Sequence, residues 1–499
     1  MIFEGVEIWR NTMKGNKKNV LLITVDQWSG NYLGCAGNKE ILTPSLDILA
    51  KSGIRFSNAI SPTPVCIPAR RELMTGVDAK VHGDRCFNES LPMPQDIPTL
   101  AQTFRDNGYQ AYCVGKLHIY PQRDRCGFDD VLLNEEGRHL GGMRQDDYER
   151  YVARNGYAGL ENSHGMSNNY YIYRPYPLPE PMHQTYWAAR EMCETIIRRD
   201  PTKPSFWYLS FAAPHPPITP PQAFLDMYND IDFCEPPYGE WAKLPPEERP
   251  KGYNHYHSLY DAFDNKRMTD IAKKGYYASC SYIDNQIRTV LGTLREQGLY
   301  NDTIVLFTAD HGEMLGQHGL YGKFLMYENS VRIPMILSLP DDMTEEYGIV
   351  DDRIVELRDV FPTLMELCGL DIPESVNGLS MVGEEKREYT YGELWEDVRA
   401  TRMIRTNEMK LIYYLEDHIT QMFDLTKDPD ELHDVSEDPA YSEIKKEFEK
   451  KLIENLNEKD YPLCVKDGHL IQRDPIVTPY EKPKRDPFLH TLHLQRGIR

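Results

Sequence analysis

The chain has 499 residues, enough for a large core with a smaller appended unit. With 40% hydrophobic and 27% charged residues it has the composition of an ordinary globular protein. Its formal net charge of -21 argues against a nucleic-acid partner, because phosphate backbones are held by clustered Lys and Arg; an anionic ligand would need positive charge gathered in one pocket.

At the N-terminus, Glu4, Glu7 and Arg10 interrupt the apolar core that a secretion signal requires. No later run reaches about 18 apolar residues, so no membrane span is expected and the chain reads as cytoplasmic. The ten cysteines include no C-x-x-C pair, which predicts free thiols rather than a zinc ribbon or redox dithiol. The first element is "NVLLITVDQW", a buried parallel strand ending at Asp26 and Gln27. "TPSLDILAKSG" follows as a helix, with Thr43 or Ser45 as N-cap and Gly53 as C-cap. "PTLAQTFRDNGYQAYCVGKLH" predicts a helix to about Gly108 and then a strand delivering Lys116 and His118. "SFWYLSFAAPH" and "TIVLFTADHG" are further strands, ending at His215 and at Asp310 with His311, and "RIPMILSLP" adds another. This alternation predicts an α/β fold with a large, mainly parallel sheet flanked by helices.

Two irregular insertions, at 120–185 and 218–258, read as walls or lids of a site. Tyr170, Tyr171, Tyr173 and Trp241 within them either stack on a flat substrate ring or simply pack the insertions. We expect a catalytic unit over 1–384 and a C-terminal α+β subdomain over 385–473, with a short antiparallel sheet and the amphipathic helix "SEIKKEFEKKLIENLNE". The tail at 474–499, with four prolines, is expected to dock on its own chain or on a second subunit as an oligomer arm.

In a parallel sheet the strand carboxyl ends meet on one rim, so the polar residues just past these runs are candidates as a group. Asp26, Gln27, Asp310 and His311 offer oxygen and imidazole ligands without thiolates, a set that suits Ca²⁺ or Mn²⁺ better than structural zinc. Arg70, Lys116 and Lys323 would hold a tetrahedral anion. Cys66 lies in "TPVCIPARRELMTG". A cysteine phosphatase would need an Arg six residues after its nucleophile; here that position is Glu72. A buried structural cysteine leaves Pro64, Pro68 and Arg70 unexplained.

"CIPARRELMTG" resembles the signature of the type I, formylglycine-dependent sulfatases of the alkaline phosphatase-like superfamily. "LLITVDQW", "GYQAYCVGKLH", "AAPHPP" and "FTADHGEMLGQHGLYGK" resemble that family's other blocks in the same order, and the likeness runs over roughly residues 18 to 450. The resemblance implies that a maturation enzyme oxidises Cys66 to formylglycine, whose hydrate is the nucleophile. Asp26, Gln27, Asp310 and His311 would hold one divalent metal ion together with the modified Cys66. Arg70 would orient the diol, Lys116 and Lys323 would bind sulfate oxygens, His215 would protonate the leaving alcohol, and His118 would take a diol proton so that sulfate is expelled. The implied activity is hydrolysis of aryl, steroid or sugar sulfate esters. Many members carry two acidic residues where this chain has Asp26-Gln27, and Asn where it has His311. That ligand pattern is more similar to the phosphonate monoester hydrolases and phosphodiesterases of the same superfamily, which form the alternative.

Overall fold

A computed structural model describes residues 17–137 and 146–475. Strand β1 (Asn19–Asp26) is buried at every position, as expected of a strand covered on both faces. Helix α1 (Pro44–Lys51) has Thr43 as N-cap, and it is capped at its other end by Ser52, one residue before the expected glycine. β2 (Ile54–Ile60) leads to α2 (Cys66–Thr75). Gly76 closes α2 in the left-handed conformation (φ 68°), and a Cβ there would meet Phe361 and Val376 at 3.0 Å. The T-G pair of the signature is therefore a helix stop.

The chain continues through α3 (Leu100–Asp106), β3 (Gln110–Gly115), β4 (Asp130–Leu133), α4 (Gln184–Ile197), β5 (Ser205–Pro214), α5 (Lys266–Glu296), β6 (Thr303–Ala309), β7 (Met335–Ser338), β8 (Ile349–Glu356) and α6 (Val360–Leu367). The eight strands form one sheet in the order β4-β3-β5-β1-β6-β7-β2-β8. β7 runs antiparallel to both neighbours and every other pairing is parallel. The expected mixed, mainly parallel sheet is what the chain forms. Helices α4 and α5 pack on each other and on β5, with α1 against α5; α2 packs with α3 and α6. The 31-residue helix α5 lies just after the second irregular insertion, and its buried Ala272, Tyr276, Ile283, Ile287, Val290 and Leu294 trace one helical face.

Register aligns the strand ends. Val25 pairs with Ala309, Gly115 with Ser210, and a bulge after Val25 sets Asp26 level with Pro214. Asp26, Lys116, His215 and Asp310 therefore leave the sheet on the same rim.

The C-terminal part is a four-stranded antiparallel sheet, β9 (Thr390–Leu394), β10 (Thr401–Arg405), β11 (Met409–Tyr414) and β12 (Ile419–Asp424), covered by α7 (Ser442–Asn455). Leu394, Met403 and Phe423 share one apolar cluster with Ile60, Val65 and Leu325. Arg405 and Lys410 reach the buried Glu328 at 2.8 and 2.9 Å, and Lys410 also contacts the buried Glu431 at 2.5 Å, so buried ion pairs join the C-terminal sheet to the segment after the large sheet's β6. From residue 476 on, the tail lies outside the described residues. No helix among the described residues is long and apolar enough to cross a membrane.

Candidate active site

Cys66 is the first residue of α2, following an extended Val65. Arg70 stands one turn further on, and this i, i+4 spacing puts its guanidinium on the same helix face as the thiol. Arg71 points away from the site, toward the carbonyl oxygens of Leu91 and Pro92 and the Asp84 carboxylate.

Arg70 clamps two strand-end aspartates. Nη2 donates to Asp26 Oδ2 at 3.2 Å and Nε to Asp310 Oδ2 at 3.0 Å, while Nη1 donates to the Lys116 carbonyl and to Ser210 Oγ. The Oδ2 atoms are thus occupied; Asp310 Oδ1 accepts the Gln27 and His311 N–H groups at 3.1 and 2.9 Å, and the Oδ1 atoms of both aspartates lie toward the His311 ring. His311 Nε2 lies 3.8 Å from Asp26 Oδ1, 3.6 Å from Asp310 Oδ1 and 3.2 Å from Cys66 Sγ. His311 Nδ1 sits 3.0 Å from the Gly312 carbonyl, a contact that requires a proton on Nδ1 and leaves Nε2 as the lone-pair nitrogen. Ligand atoms of Asp26, Cys66, Asp310 and His311 all fall within 4.8 Å of one another. Inward-turned carboxylates and a tautomer-fixed imidazole fit a divalent cation.

Gln27 enters differently. Its left-handed backbone (φ 69°) turns the side chain toward Lys323, whose Nζ donates to Oε1 at 2.5 Å. Nε2 donates to Tyr171 Oη at 2.8 Å and to Glu313 Oε2 at 2.6 Å. The Gln27 oxygen is the atom available to a metal, and here it is shared with Lys323. Lys116 Nζ contacts Asp26 Oδ2 at 2.5 Å and Glu136 Oε1 at 2.6 Å. His215 Nδ1 is 2.7 Å from the Pro216 carbonyl and 3.7 Å from Glu136. His118 takes a left-handed φ of 57°; its N–H donates to Glu135, and its ring meets Phe87 edge-on at 5.4 Å. It lines a small cavity with Ile67, the neighbour of Cys66. None of the predicted site residues exceeds 6% exposure.

Burial opposes charge throughout the site. Dehydration opposes the Asp26 charge, but Lys116, His215 and Arg70 outweigh it and hold the carboxyl well below its usual range. Burial, reinforced by Asp26, pushes the Cys66 thiol up to about 11, so among protein groups alone it is a thiol at neutral pH and a poor nucleophile. Burial, with Lys323 nearby, pushes His215 down to about 3.

Residues outside the sequence reading complete the site. Glu313 is fully buried and accepts from Gln27, Tyr171 and the N–H groups of Leu315 and Gly322. Glu135 receives the N–H groups of Leu117 and His118. "DDVLLNEEG" carried the same signal as the other strands, an apolar run followed by polar residues. Of the aromatic candidates, Tyr171 and Trp241 are buried and bonded to Glu313 and to the Glu431 carbonyl, so they pack rather than face a ligand. Tyr173 bridges to Ile218 and Tyr170 is 42% exposed. The half-buried Phe324, beside Lys323 and stacked on Tyr256 at 4.9 Å, sets its ring 5.3 Å from the Lys323 ammonium.

Residues 18–370 match the family model described as Sulfatase, and residues 316–458 match that of the N-sulphoglucosamine sulphohydrolase C-terminal region. An arylsulfatase of Clostridium perfringens is 36% identical over 463 residues, covering 89% of this chain and 95% of that one. A choline-sulfatase of Rhizobium meliloti is 27% identical, covering 86% and 84%. The phosphonate monoester hydrolase of Agrobacterium radiobacter shares the fold with a TM-score of 0.74 at 22% identity, over 92% of this chain and all (100%) of that one. The sheet order is that of the fold shared with this hydrolase. The chain belongs to the sulfatase family, the sulfuric ester hydrolases of the alkaline phosphatase-like superfamily.

Proposed function

We propose that the protein hydrolyses sulfate monoesters at Cys66, after a maturation enzyme has converted that residue to formylglycine, with one divalent cation, Ca²⁺ or Mn²⁺, at the strand-end cluster. The observation that carries this reading is the convergence of Cys66 Sγ, His311 Nε2 and the inward oxygens of Asp26 and Asp310 in front of the Arg70 clamp. Asp26, Asp310 and His311 would hold the cation, with the Gln27 oxygen beside them; bound there, it would supply positive charge to an ester oxygen and acidify a neighbouring hydroxyl. A formylglycine hydrate would supply the nucleophilic hydroxyl that a thiol held near pKa 11 does not.

The chain's own groups do the rest. Arg70 fixes both aspartates and the turn carrying Lys116. Lys116 and Lys323 present ammonium groups to a tetrahedral anion in a site closed to bulk water, where each charge acts at low dielectric. His215 keeps a proton on Nδ1 against Pro216; an anion seated nearby favours a second proton on Nε2, which is then available to the leaving alcohol. His118, held by Glu135, is assigned the opposite proton movement. The 36% identical arylsulfatase supports an aryl ester as the first substrate to test. Ten unpaired cysteines support a reducing, cytoplasmic setting.

The Gln27 and His311 positions favour phosphonate monoesters as the second reading. Comparing kcat/KM for 4-nitrophenyl sulfate and 4-nitrophenyl phenylphosphonate with matured protein separates the two; a large preference for the phosphonate overturns the first.

A further inference from the structure

A second grouping adjoins the first. Atoms of Asp26, Glu136 and His215 also lie within 4.8 Å of one another. Here, however, the Lys116 ammonium already bridges the two carboxylates, at 2.5 and 2.6 Å. The cation that such a cluster calls for is supplied by lysine. What needs explaining is Glu136, a carboxylate lodged on a lysine assigned to hold the substrate anion.

Its placement is built. Glu136 has φ 57°, a conformation uncommon for a residue with a Cβ, and its side chain is 4% exposed. The turn carrying it is pinned from both sides. Asn134 N–H donates to the Gly115 carbonyl, and Glu135 N–H donates to Asp146 at 2.5 Å. The Glu135 carboxylate in turn receives the Leu117 and His118 N–H groups. Glu135 ties the turn to the lysine segment, and Glu136 is thereby aimed at Lys116 and at His215 Nδ1, 3.7 Å away.

Among the described residues, Arg70 is engaged by Asp26 and Asp310, and Lys116 by Asp26 and Glu136. Lys323 bonds the neutral Gln27 amide. These side chains leave an incoming anion little uncompensated charge; a divalent cation at the cluster would add two positive charges with or without Glu136, so Glu136 acts on the difference between singly and doubly charged anions rather than on the total. Sulfate monoesters carry one negative charge at neutral pH, whereas phosphate monoesters carry two. We propose that Glu136 is a specificity-determining residue, its fixed negative charge on Lys116 setting the seat for singly charged esters and against dianionic phosphate monoesters. The proposal rests on the ester-hydrolase reading of the same site. A unit charge about 5 Å away at an effective dielectric of about 20 changes affinity by about tenfold or more.

The test uses full-length Glu136→Gln and Glu136→Asp, with two readouts. In matured protein, the ratio of kcat/KM for 4-nitrophenyl phosphate to that for 4-nitrophenyl sulfate is expected to rise about tenfold or more in Glu136→Gln. It is expected to stay within about threefold of wild type in Glu136→Asp, which keeps the charge. In unmatured protein, calorimetric titration with inorganic sulfate and with methyl sulfate is expected to show the same shift toward the dianion in Glu136→Gln. An unchanged ratio in Glu136→Gln, or an equal shift in both variants, overturns the proposal. If Glu136→Gln does not fold, metal-free wild type still decides: a tenfold preference for inorganic sulfate over methyl sulfate overturns it, and parity supports it. Matured wild-type protein that cleaves no sulfate ester overturns the ester-hydrolase reading instead, while the binding measurements continue to judge Glu136.

Discussion

Replacing Glu313 by Gln tests whether Lys323 is positioned through a relay. Oε1 of Glu313 accepts the Leu315 and Gly322 N–H groups at 2.7 and 2.8 Å, and Oε2 accepts Gln27 Nε2 and Tyr171 Oη, both at 2.6 Å. In Glu313→Gln the oxygen stays with the two backbone donors, since neither can turn away, and the new NH₂ faces Gln27 and Tyr171. The Tyr171 hydroxyl can rotate to accept. Gln27 must flip its amide, and the flip points Nε2 at the Lys323 ammonium in place of the oxygen now bonded at 2.5 Å. One charge-assisted hydrogen bond is lost on either side of Gln27, about 1.5–3 kcal/mol. If that loss falls on substrate binding, kcat/KM drops about 10–100-fold, mainly through KM, because Lys323 would hold the anion in ground and transition states alike. The assay is steady-state hydrolysis of 4-nitrophenyl sulfate by matured protein, with thermal unfolding measured in parallel. Burial raises the Glu313 pKa against four donors. If the variant keeps wild-type kcat/KM, Glu313 is already protonated and the relay reasoning is wrong.

Cys66→Ser is expected to abolish turnover while still binding inorganic sulfate by calorimetry; turnover within tenfold of wild type would refute the formylglycine reading. Arg70→Lys removes the fork that turns both aspartates inward, and should weaken Mn²⁺ or Ca²⁺ binding by about 10–100-fold in calorimetric titration. His183 caps α4, its Nδ1 accepting from Thr185 N–H while Nε2 donates to the Thr219 carbonyl, and burial pushes its pKa down to about 4. The unfolded chain takes up that proton near pH 6.5 and the folded chain only near 4, so this stabilisation is complete above 6.5 and fades below it. His183→Asn should therefore cost about 1–2 kcal/mol at pH 8, with the deficit shrinking by about 1.4 kcal/mol per pH unit below 6.5; urea unfolding at pH 8 and 5 checks it, and a constant deficit contradicts it.

The sheet was legible because its strands are continuous apolar runs, and a parallel sheet places their polar ends on one rim. Asp26, Lys116, His215 and Asp310 could be grouped from that rule alone. Glu136 could not, although "NEEG" follows the same kind of run. Its aim depends on a left-handed backbone held by Asp146 and the Lys116–His118 segment, and no local pattern specifies such long-range contacts. The aromatic residues stayed between two readings, stacking on a ligand or packing the insertion, for a related reason. Tyr171 belongs to an irregular insertion, where no period reveals which side chains turn inward, and its hydroxyl turned out to be a partner of Glu313 rather than a wall for substrate.

The two adjacent arginines of the signature show where sequence spacing does suffice. Successive helical residues diverge by about 100°, so Arg70 and Arg71 cannot serve the same ligand. Once α2 begins at Cys66, the residues three and four further on, Ala69 and Arg70, share the face of the thiol, and Arg70 is the charged one. It binds both aspartates. Arg71 is sent to the Asp84 side, where it closes the loop at Leu91 and Pro92. The signature therefore encodes one site cation and one structural cation, and exchanging their surroundings would require re-phasing the helix rather than substituting a side chain.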